Sequence, residues 1–311
     1  MKEKKPILVT SYVNPDLDGL SCLFAYTEFL KSQGKNVIAG IIGIPHEEAR
    51  YVLERFEISS PKAFKNAKKF DEIILLDASV ANNLEDTIRP EQVIEIIDHR
   101  QVHEAGKFPN AKAQIELVGA AATLVAEKFM KENIVPSKES TLLLSSAIIS
   151  NTFNFKAGVT TDRDREAAKW LHKIAKLPEG FWKELFMAKS DMTGTKLWEK
   201  IEGDFSWNLL GGKKVGTAQI EMIGAKALIH ERLSEILDYL HRLKKELVLD
   251  FIFLNAVDLE VGEVFLITDE QDTRDLLEKI LGIHFVGNIA RKGEFIMRKQ
   301  IKPLIKQALE K

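Results

Sequence analysis

Acidic side chains follow three separate apolar runs in the first third of the sequence, and their types point to metal chemistry. Asp16 and Asp18 stand two apart in "NPDLDG", Asp77 ends the apolar run of "EIILLDAS", and Asp98 and His99 end that of "VIEIIDHR". Carboxylates with one imidazole suit hard divalent cations such as Mn²⁺ or Mg²⁺. Two ions bridged by a carboxylate would activate water for phosphoester or phosphoanhydride hydrolysis.

The spacing of Asp16 and Asp18 allows two interpretations. In an extended loop, side chains at i and i+2 point to the same side, so both carboxylates would face one cation. Asp and Asn also favour turns and helix starts, where they cap backbone amides, and Asp77 could cap a helix in the same way. Asp98 beside His99 could orient the imidazole. Agreement among three strand ends favours the metal interpretation.

The elements that must position these residues alternate between short β-branched runs and amphipathic stretches. This alternation predicts βα units that form a mostly parallel sheet, which binds ligands at the carboxyl ends of its strands. We expect strands at 7–10, 37–42, 73–77 and 93–98, and helices at about 19–32, 47–56 and 118–131.

The sequence changes character near residue 187, where Gly-containing turns and a new strand-like run begin. We predict a first domain at 1–186, a linker at 187–196 and a second, smaller α/β domain at 197–311. In the second domain we expect strands at 214–221, 249–257 and 263–268, with a helix at about 225–247.

Composition excludes several classes of protein. Of 311 residues, 44 are basic and 46 acidic, so the net charge of −2 offers no general attraction to nucleic acid or an anionic membrane. Cys22 is the sole cysteine, which excludes a disulfide framework and a thiolate zinc site. No apolar run approaches the roughly 20 residues of a membrane span, and the N-terminal one is too short for a signal peptide. The sequence therefore predicts a cytoplasmic protein.

Four motifs together, "NPDLDG", "LLDAS", "IIDHR" and "AIISN", resemble the DHH phosphoesterase superfamily. With "GGKKVGTAQIE" and "MRKQIKPLI", the resemblance covers nearly the whole chain and is closest to the branch with a DHHA2 domain. That branch holds family II inorganic pyrophosphatases, exopolyphosphatases and prune-like proteins. The resemblance implies Mn²⁺, or Mg²⁺ or Co²⁺, as one or two ions on the DHH domain, and a DHHA2-like domain that closes over the cleft.

The resemblance also implies the roles of individual residues. Its metal ligands fall on Asp16, Asp18, Asp77 and His99, with Asp77 as the bridge between two ions and Asp98 in support. Arg298 and Lys299 fall on the cationic pair that binds the phosphates of the substrate. We expect Asp77, Asp98 and Arg100 to carry the catalysis.

The chain departs from the pyrophosphatase pattern at four positions, and we expect weaker or single-metal binding as a result. Tyr12 stands for a histidine ligand, and Arg100 for the second histidine of Asp-His-His. Asn151 stands for an aspartate ligand but can still coordinate through its carbonyl oxygen. Arg100 cannot ligate a metal, yet its fork can hold a phosphate. Ser206 stands at the apparent place of a substrate lysine.

Other side chains in the sequence could compensate for these departures. His103 lies one short step along the loop from Arg100, although a surface role is the simpler interpretation. Lys213 or Lys214 could bind the substrate in place of the lysine that is missing at Ser206. Neither possibility can be decided from one sequence.

Three functions fit these observations in decreasing order. The first is a metal-dependent phosphohydrolase that cleaves pyrophosphate, short-chain polyphosphate or nucleotide-like substrates. The alternative is a phosphate- or nucleotide-binding protein with weak or lost turnover. The third is an oligonucleotide or cyclic-dinucleotide phosphodiesterase, ranked last because the DHHA1 relatives carry a Gly-Gly-Gly-His type motif and this chain has only "GGKK". We expect no nucleic-acid or membrane partner and allow for a homodimer.

Overall fold

The computed structural model describes residues 5–81, 84, 87–101 and 103–310. The chain divides into two compact units, Met1–Ala188 (unit 1) and Lys189–Lys311 (unit 2). Within the described residues, no helix combines the length and the hydropathy that crossing a bilayer requires.

Unit 1 is built on a parallel sheet whose strand order reverses at its centre. The order is β3-β2-β1-β4-β5-β6, and every strand pair is parallel. β1 and β4 lie side by side although the chain leaves them toward opposite edges, which makes their carboxyl ends the topological switch point where such sheets bind ligands. The strands are β1 Ile7–Thr10, β2 Val37–Ile42, β3 Lys62–Phe64, β4 Ile73–Leu76, β5 Val93–Asp98 and β6 Lys112–Ile115.

Helices cover this sheet because its central strands are apolar on both faces, as buried parallel strands are. All four residues of β4 are buried. Phe29 of α1 packs edge-on against Phe129 of α3, with ring centroids 5.2 Å apart. The helices are α1 Leu17–Ser32, α2 Glu47–Arg55, α3 Ala121–Lys131, α4 Lys138–Asn151, α5 Asp162–Ile174 and α6 Phe181–Ala188.

The prediction of a mostly parallel α/β sheet is confirmed, with corrections at element ends. The strand predicted at 73–77 ends at Leu76, because Asp77 adopts a left-handed φ of 53° that no strand accommodates. The helix predicted from 118 begins at Ala121, and the one predicted from 19 begins at Leu17. The sequence analysis missed β3 and β6, because "KAF" and "KAQI" carry no apolar run.

Unit 2 is a smaller α/β unit with a mixed sheet. Its strand order is β11-β12-β10-β9-β8-β7, in which only β8 and β9 pair in parallel. The predicted strands and helix of this unit correspond to β8, α8, β9 and β10. The elements are α7 Lys196–Asp204, β7 Ser206–Leu210, β8 Lys213–Met222, α8 Ala225–Leu247, β9 Phe251–Asp258, β10 Glu263–Ile267, α9 Gln271–Leu281, β11 Phe285–Val286, β12 Ile289–Lys292 and α10 Arg298–Leu309.

Candidate functional site

Three of the predicted ligands meet at the switch point of unit 1. Asp18 lies in the first turn of α1, Asp77 directly follows β4, and His99 directly follows β5. One ligand atom from each lies within 4.8 Å of the others. The Nε2 atom of His99 is 3.5 Å from Asp77 Oδ1 and 3.8 Å from Asp18 Oδ2. We call these three residues the acidic cluster.

Asp77 is the member of the cluster that most needs a cation. Its side chain is 1% exposed, and Oδ1 has no hydrogen-bond partner among the described residues. Burial raises the pKa of Asp77, the guanidinium of Arg100 lowers it, and the neighbouring charges of Asp16 and Asp18 raise it further. A buried oxygen atom without a donor, beside a second carboxylate and an imidazole, fits a divalent ion.

His99 presents its ring in the orientation that metal binding requires. Its Nδ1 atom lies 2.9 Å from the carbonyl oxygen of Val118. Nδ1–H therefore donates to that carbonyl, and Nε2 keeps its lone pair toward the carboxylates. We expected Asp98 to orient this ring, and that was wrong: Asp98 Oδ1 instead accepts a hydrogen bond from the backbone N–H of His99.

Asp18 is held by donors from two helices. Its carboxylate accepts hydrogen bonds from the backbone N–H groups of Ala121 (2.7 Å) and Ala122 (2.8 Å) at the start of α3. Asn151 at the end of α4 donates its side-chain Nδ2 to Asp18 Oδ2 at 2.6 Å. Burial raises the pKa of Asp18 to about 6, although the amides of α3 partly oppose that shift. Asn151 therefore lies beside the acidic cluster with its amide nitrogen bonded to a candidate ligand.

Asp16 lies next to the cluster but plays a structural part. Its Oδ1 atom accepts a hydrogen bond from the N–H of Gly19, which makes Asp16 the N-cap of α1. The expectation that Asp16 and Asp18 face one ion from an extended loop was wrong, because Asp18 is already helical. Residues two apart on a helix point in different directions.

Arg100 is the nearest cation to Asp77. Its Nη2 atom lies 3.3 Å from Asp77 Oδ1, and its Nη1 atom lies 3.2 Å from Asp98 Oδ2 and also donates to the Asp77 carbonyl. The guanidinium stands over the ring of Tyr12, 5.5 Å from its centroid. Tyr12 accepts a hydrogen bond from the N–H of Asp16 at 3.1 Å, and burial raises the pKa of its hydroxyl. His103 is exposed and lies outside the cluster.

In unit 2, two cations one turn apart on α10 reach Ser206. Arg298 pairs with Asp204 (Nη1 to Oδ2, 2.9 Å) and its Nη1 lies 3.4 Å from Ser206 Oγ. Lys302 donates to the same Oγ at 3.0 Å. Burial and the charge of Arg298 lower the pKa of Lys302 to about 8. The sequence analysis missed Lys302, and its i+4 spacing from Arg298 is the signal that could have found it.

The remaining predicted cations of unit 2 have separate surroundings. Lys299 lies in the first turn of α10. Lys213 forms a surface ion pair with Asp250 (3.1 Å), and Lys214 stands over the ring of Trp207. A second group that could hold a metal lies on α8 and before α9, but the ammonium of Lys244 already lies 2.6 Å from Glu270 in it.

The fold and the acidic cluster define the class of a metal-binding DHH phosphoesterase, and comparison with known proteins agrees. Residues 6–148 match the N-terminal domain of the DHH family, and residues 183–308 match the DHHA2 domain. The resemblance seen in the sequence is thereby confirmed.

Full-length relatives narrow this class. A Methanothrix thermoacetophila protein named manganese-dependent inorganic pyrophosphatase is 30% identical, over 98% of this chain and 99% of its own. A Clostridium acetobutylicum protein named "Probable manganese-dependent inorganic pyrophosphatase" is 29% identical over 98% of each chain. The crystal structure of a Methanococcus jannaschii protein assigned to the family II inorganic pyrophosphatases has a TM-score of 0.76 at 29% identity, covering 97% of this chain and 99% of that one. The chain belongs to the DHH–DHHA2 family of these manganese-dependent inorganic pyrophosphatases.

Proposed function

We propose that the protein is a divalent-metal-dependent phosphohydrolase that cleaves pyrophosphate or a related short phosphoanhydride. The observation that carries the proposal is the buried Oδ1 of Asp77, which lacks a hydrogen bond and faces the lone pair of His99 Nε2. The names of the full-length relatives support both Mn²⁺ and the anhydride substrate. Bound Mn²⁺, or Mg²⁺ or Co²⁺ in its place, would polarise a phosphoryl oxygen and lower the pKa of water.

The metal would be held by the acidic cluster, with two further residues at its border. Asp18, Asp77 and His99 supply two carboxylates and one imidazole, a donor set suited to Mn²⁺. Asp16 uses one carboxylate oxygen to cap α1, and Asn151 uses its amide nitrogen to bind Asp18, so each keeps an oxygen for coordination. We include both in the proposed ligand set.

Arg100 would bind a phosphate oxygen and is the catalytic cation of the proposal. A guanidinium that is permanently charged can stabilise the charge on the transferring phosphoryl group. Asp98 would fix the position of that guanidinium, since its Oδ1 and Oδ2 both lie 3.2 Å from Arg100 Nη1. Arg298, Lys299 and Lys213 would contact phosphate oxygens, and we add Lys302 to them because it donates to Ser206 beside Arg298.

A metal-by-substrate panel of phosphate release tests the proposal. Pyrophosphate, tripolyphosphate, longer polyphosphate and nucleotides are each assayed with Mn²⁺, Mg²⁺ and Co²⁺. We expect Mn²⁺-dependent release from pyrophosphate, and its loss in Asp77→Asn. Asp71→Asn is the matched control, because Asp71 is 71% exposed and pairs only with Lys5 at the surface. Wild-type turnover by Asp77→Asn would disprove the proposed role of the cluster.

A second candidate function is phosphate or nucleotide binding with weak turnover. Arg100 at 3.3 Å from Asp77 Oδ1 favours it, because a fixed cation beside a ligand weakens the binding of a divalent ion. In this case pyrophosphate would bind, as calorimetry would show, while no metal in the panel would support its hydrolysis.

We also propose a cytoplasmic location and a homodimer. Net charge gives no support for a membrane or nucleic-acid partner. Within the described residues β6 pairs on one side only, with β5, so its other edge can pair with a second copy. Light scattering on the purified full chain measures the oligomeric state, and a monomer would disprove the dimer.

A further inference from the structure

A cavity of about 750 Å³ lies in unit 1 between α4, α5 and the segment 175–179. No residue of the acidic cluster lines it. Its volume is within the range of about 300–1,000 Å³ that small-molecule sites occupy. The cavity is therefore large enough for a ligand of its own, and its lining indicates which one.

Positive side chains line one wall of the cavity. Arg165, Lys169 and His172 stand at i, i+4 and i+7 on α5 and so share one face of it, and Lys176 follows the helix. No carboxylate among the described residues lies within ion-pair distance of Lys169, His172 or Lys176. Glu179 is the acidic residue of the lining. The wall keeps a net positive charge that its surroundings do not neutralise.

A buried hydroxyl group without a partner belongs to the same lining. Ser145 of α4 is 6% exposed, and its Oγ has no hydrogen-bond partner among the described residues. Its neighbour Ser146 shows the usual alternative in a helix, since its Oγ donates to the carbonyl of Leu142 at 2.7 Å. The Ser145 hydroxyl is therefore available to a ligand.

An aromatic ring is fixed beside the positive wall. Arg165 stands over the ring of Phe155, 5.3 Å from its centroid, and its Nη2 donates to the Phe155 carbonyl at 3.1 Å. Phe155 ends a run of three non-glycine residues with left-handed φ angles: Phe153 (49°), Asn154 (52°) and Phe155 (65°). Such backbone conformations are rare and concentrate at functional sites. The strained turn holds an apolar plane next to a cluster of cations.

We propose that this cavity binds a nucleoside phosphate. Its phosphates contact Lys169, His172 and Lys176, and its base lies toward Phe155 and the apolar side chain of Leu177. The Ser145 hydroxyl donates to the ligand at the floor of the cavity. Fixed cations explain the affinity for phosphate, and the aromatic plane explains the need for a base. Binding here does not rest on the proposed hydrolase function.

Calorimetric titration of the full chain with ADP and ATP in EDTA tests the proposal, because EDTA keeps metal–nucleotide complexes away from the acidic cluster. We expect wild-type protein to bind both nucleotides. Lys169→Glu should weaken the Kd by about tenfold or more, since it turns a contact cation into an anion. Lys173→Glu, an exposed position on the same helix outside the cavity, is the matched control and should leave the Kd unchanged.

Three further measurements complete the test. Ser145→Ala should weaken nucleotide binding while circular dichroism shows a folded protein. Asp77→Asn should retain it, which separates this site from the proposed catalytic one. Tripolyphosphate should bind about tenfold more weakly than ATP, because it has no base. Absence of nucleotide binding, equal effects of Lys169→Glu and Lys173→Glu, or equal affinity for tripolyphosphate and ATP would overturn the proposal.

Discussion

Asp77 has two competing partners, the cation that its buried Oδ1 would bind and the guanidinium of Arg100. Arg100 Nη2 lies 3.3 Å from that oxygen, and no hydrogen bond is formed there. A permanent positive charge at this distance disfavours a second cation on the same carboxylate. The residue that replaces the second histidine of the motif therefore trades metal affinity for a contact to phosphate.

Arg100→His should accordingly tighten the binding of Mn²⁺. The change removes the fixed charge beside Asp77 and supplies an imidazole, so we expect the Kd for Mn²⁺ to fall by about tenfold. Calorimetry with Mn²⁺ on the free protein measures it. Arg55→His is the control, because Arg55 pairs with Glu184 at the surface at 3.0 Å. Unchanged or weaker Mn²⁺ binding in Arg100→His would contradict this account.

Lys302 should give the reaction a pH limit if it binds substrate phosphate. Burial lowers its pKa to about 8, so the ammonium is charged below that pH and neutral above it. We expect kcat/KM for pyrophosphate to fall as the pH rises through about 8, since kcat/KM reports the free enzyme. Lys302→Arg, which stays charged, should lose that limb of the profile. Lys306→Gln, at the end of α10, should keep it.

At the scale of elements, the sequence predicts what apolar patterning determines. β1, β2 and β5 have the predicted bounds, because β-branched runs buried on both faces leave a continuous signal. The edge strands β3 and β6 carry no such run. In the site, the strand-end positions of Asp77 and His99 follow from the same pattern. The carbonyl of Val118 and the amides at the start of α3 do not, because every residue has these groups.

The C-terminus of α8 carries a residue that is unfavourable in its conformation. Val248 adopts φ 52° and ψ 58° at the C-cap, a left-handed conformation in which its branched Cβ clashes with the backbone. Its side chain is 74% exposed, so little packing is lost when it is removed. The helix end is thus a place where a smaller residue stabilises unit 2.

Val248→Gly should raise the free energy of unfolding by about 1 kcal/mol, since glycine adopts this conformation without the steric penalty. Thermal unfolding followed by circular dichroism measures the gain. Val261→Gly is the matched control: Val261 is 61% exposed and is not among the residues with positive φ, so there glycine should destabilise slightly. A loss of stability in both variants would refute the explanation from strain.

At the scale of the whole molecule, the groups proposed to bind metal and phosphate are divided between the two units. All three residues of the acidic cluster come from unit 1, whereas Arg298 and Lys302 come from unit 2. Each unit has its own sheet and core, so each can respond to its own ligand. A ligand that binds the native state slows the local and global opening of the unit that holds it.

Hydrogen exchange on the full chain should separate the two responses. Mn²⁺ alone should slow exchange at 16–20, 77–79 and 98–100, by roughly 100-fold when Mn²⁺ exceeds its Kd about 100-fold, and leave α10 unchanged. Inorganic phosphate in EDTA should protect β7 and the first turn of α10 through Arg298 and Lys302. Asp77→Asn should abolish the response to Mn²⁺ and retain the response to phosphate. Equal protection of both units by Mn²⁺ alone would show that its ligands are not confined to unit 1.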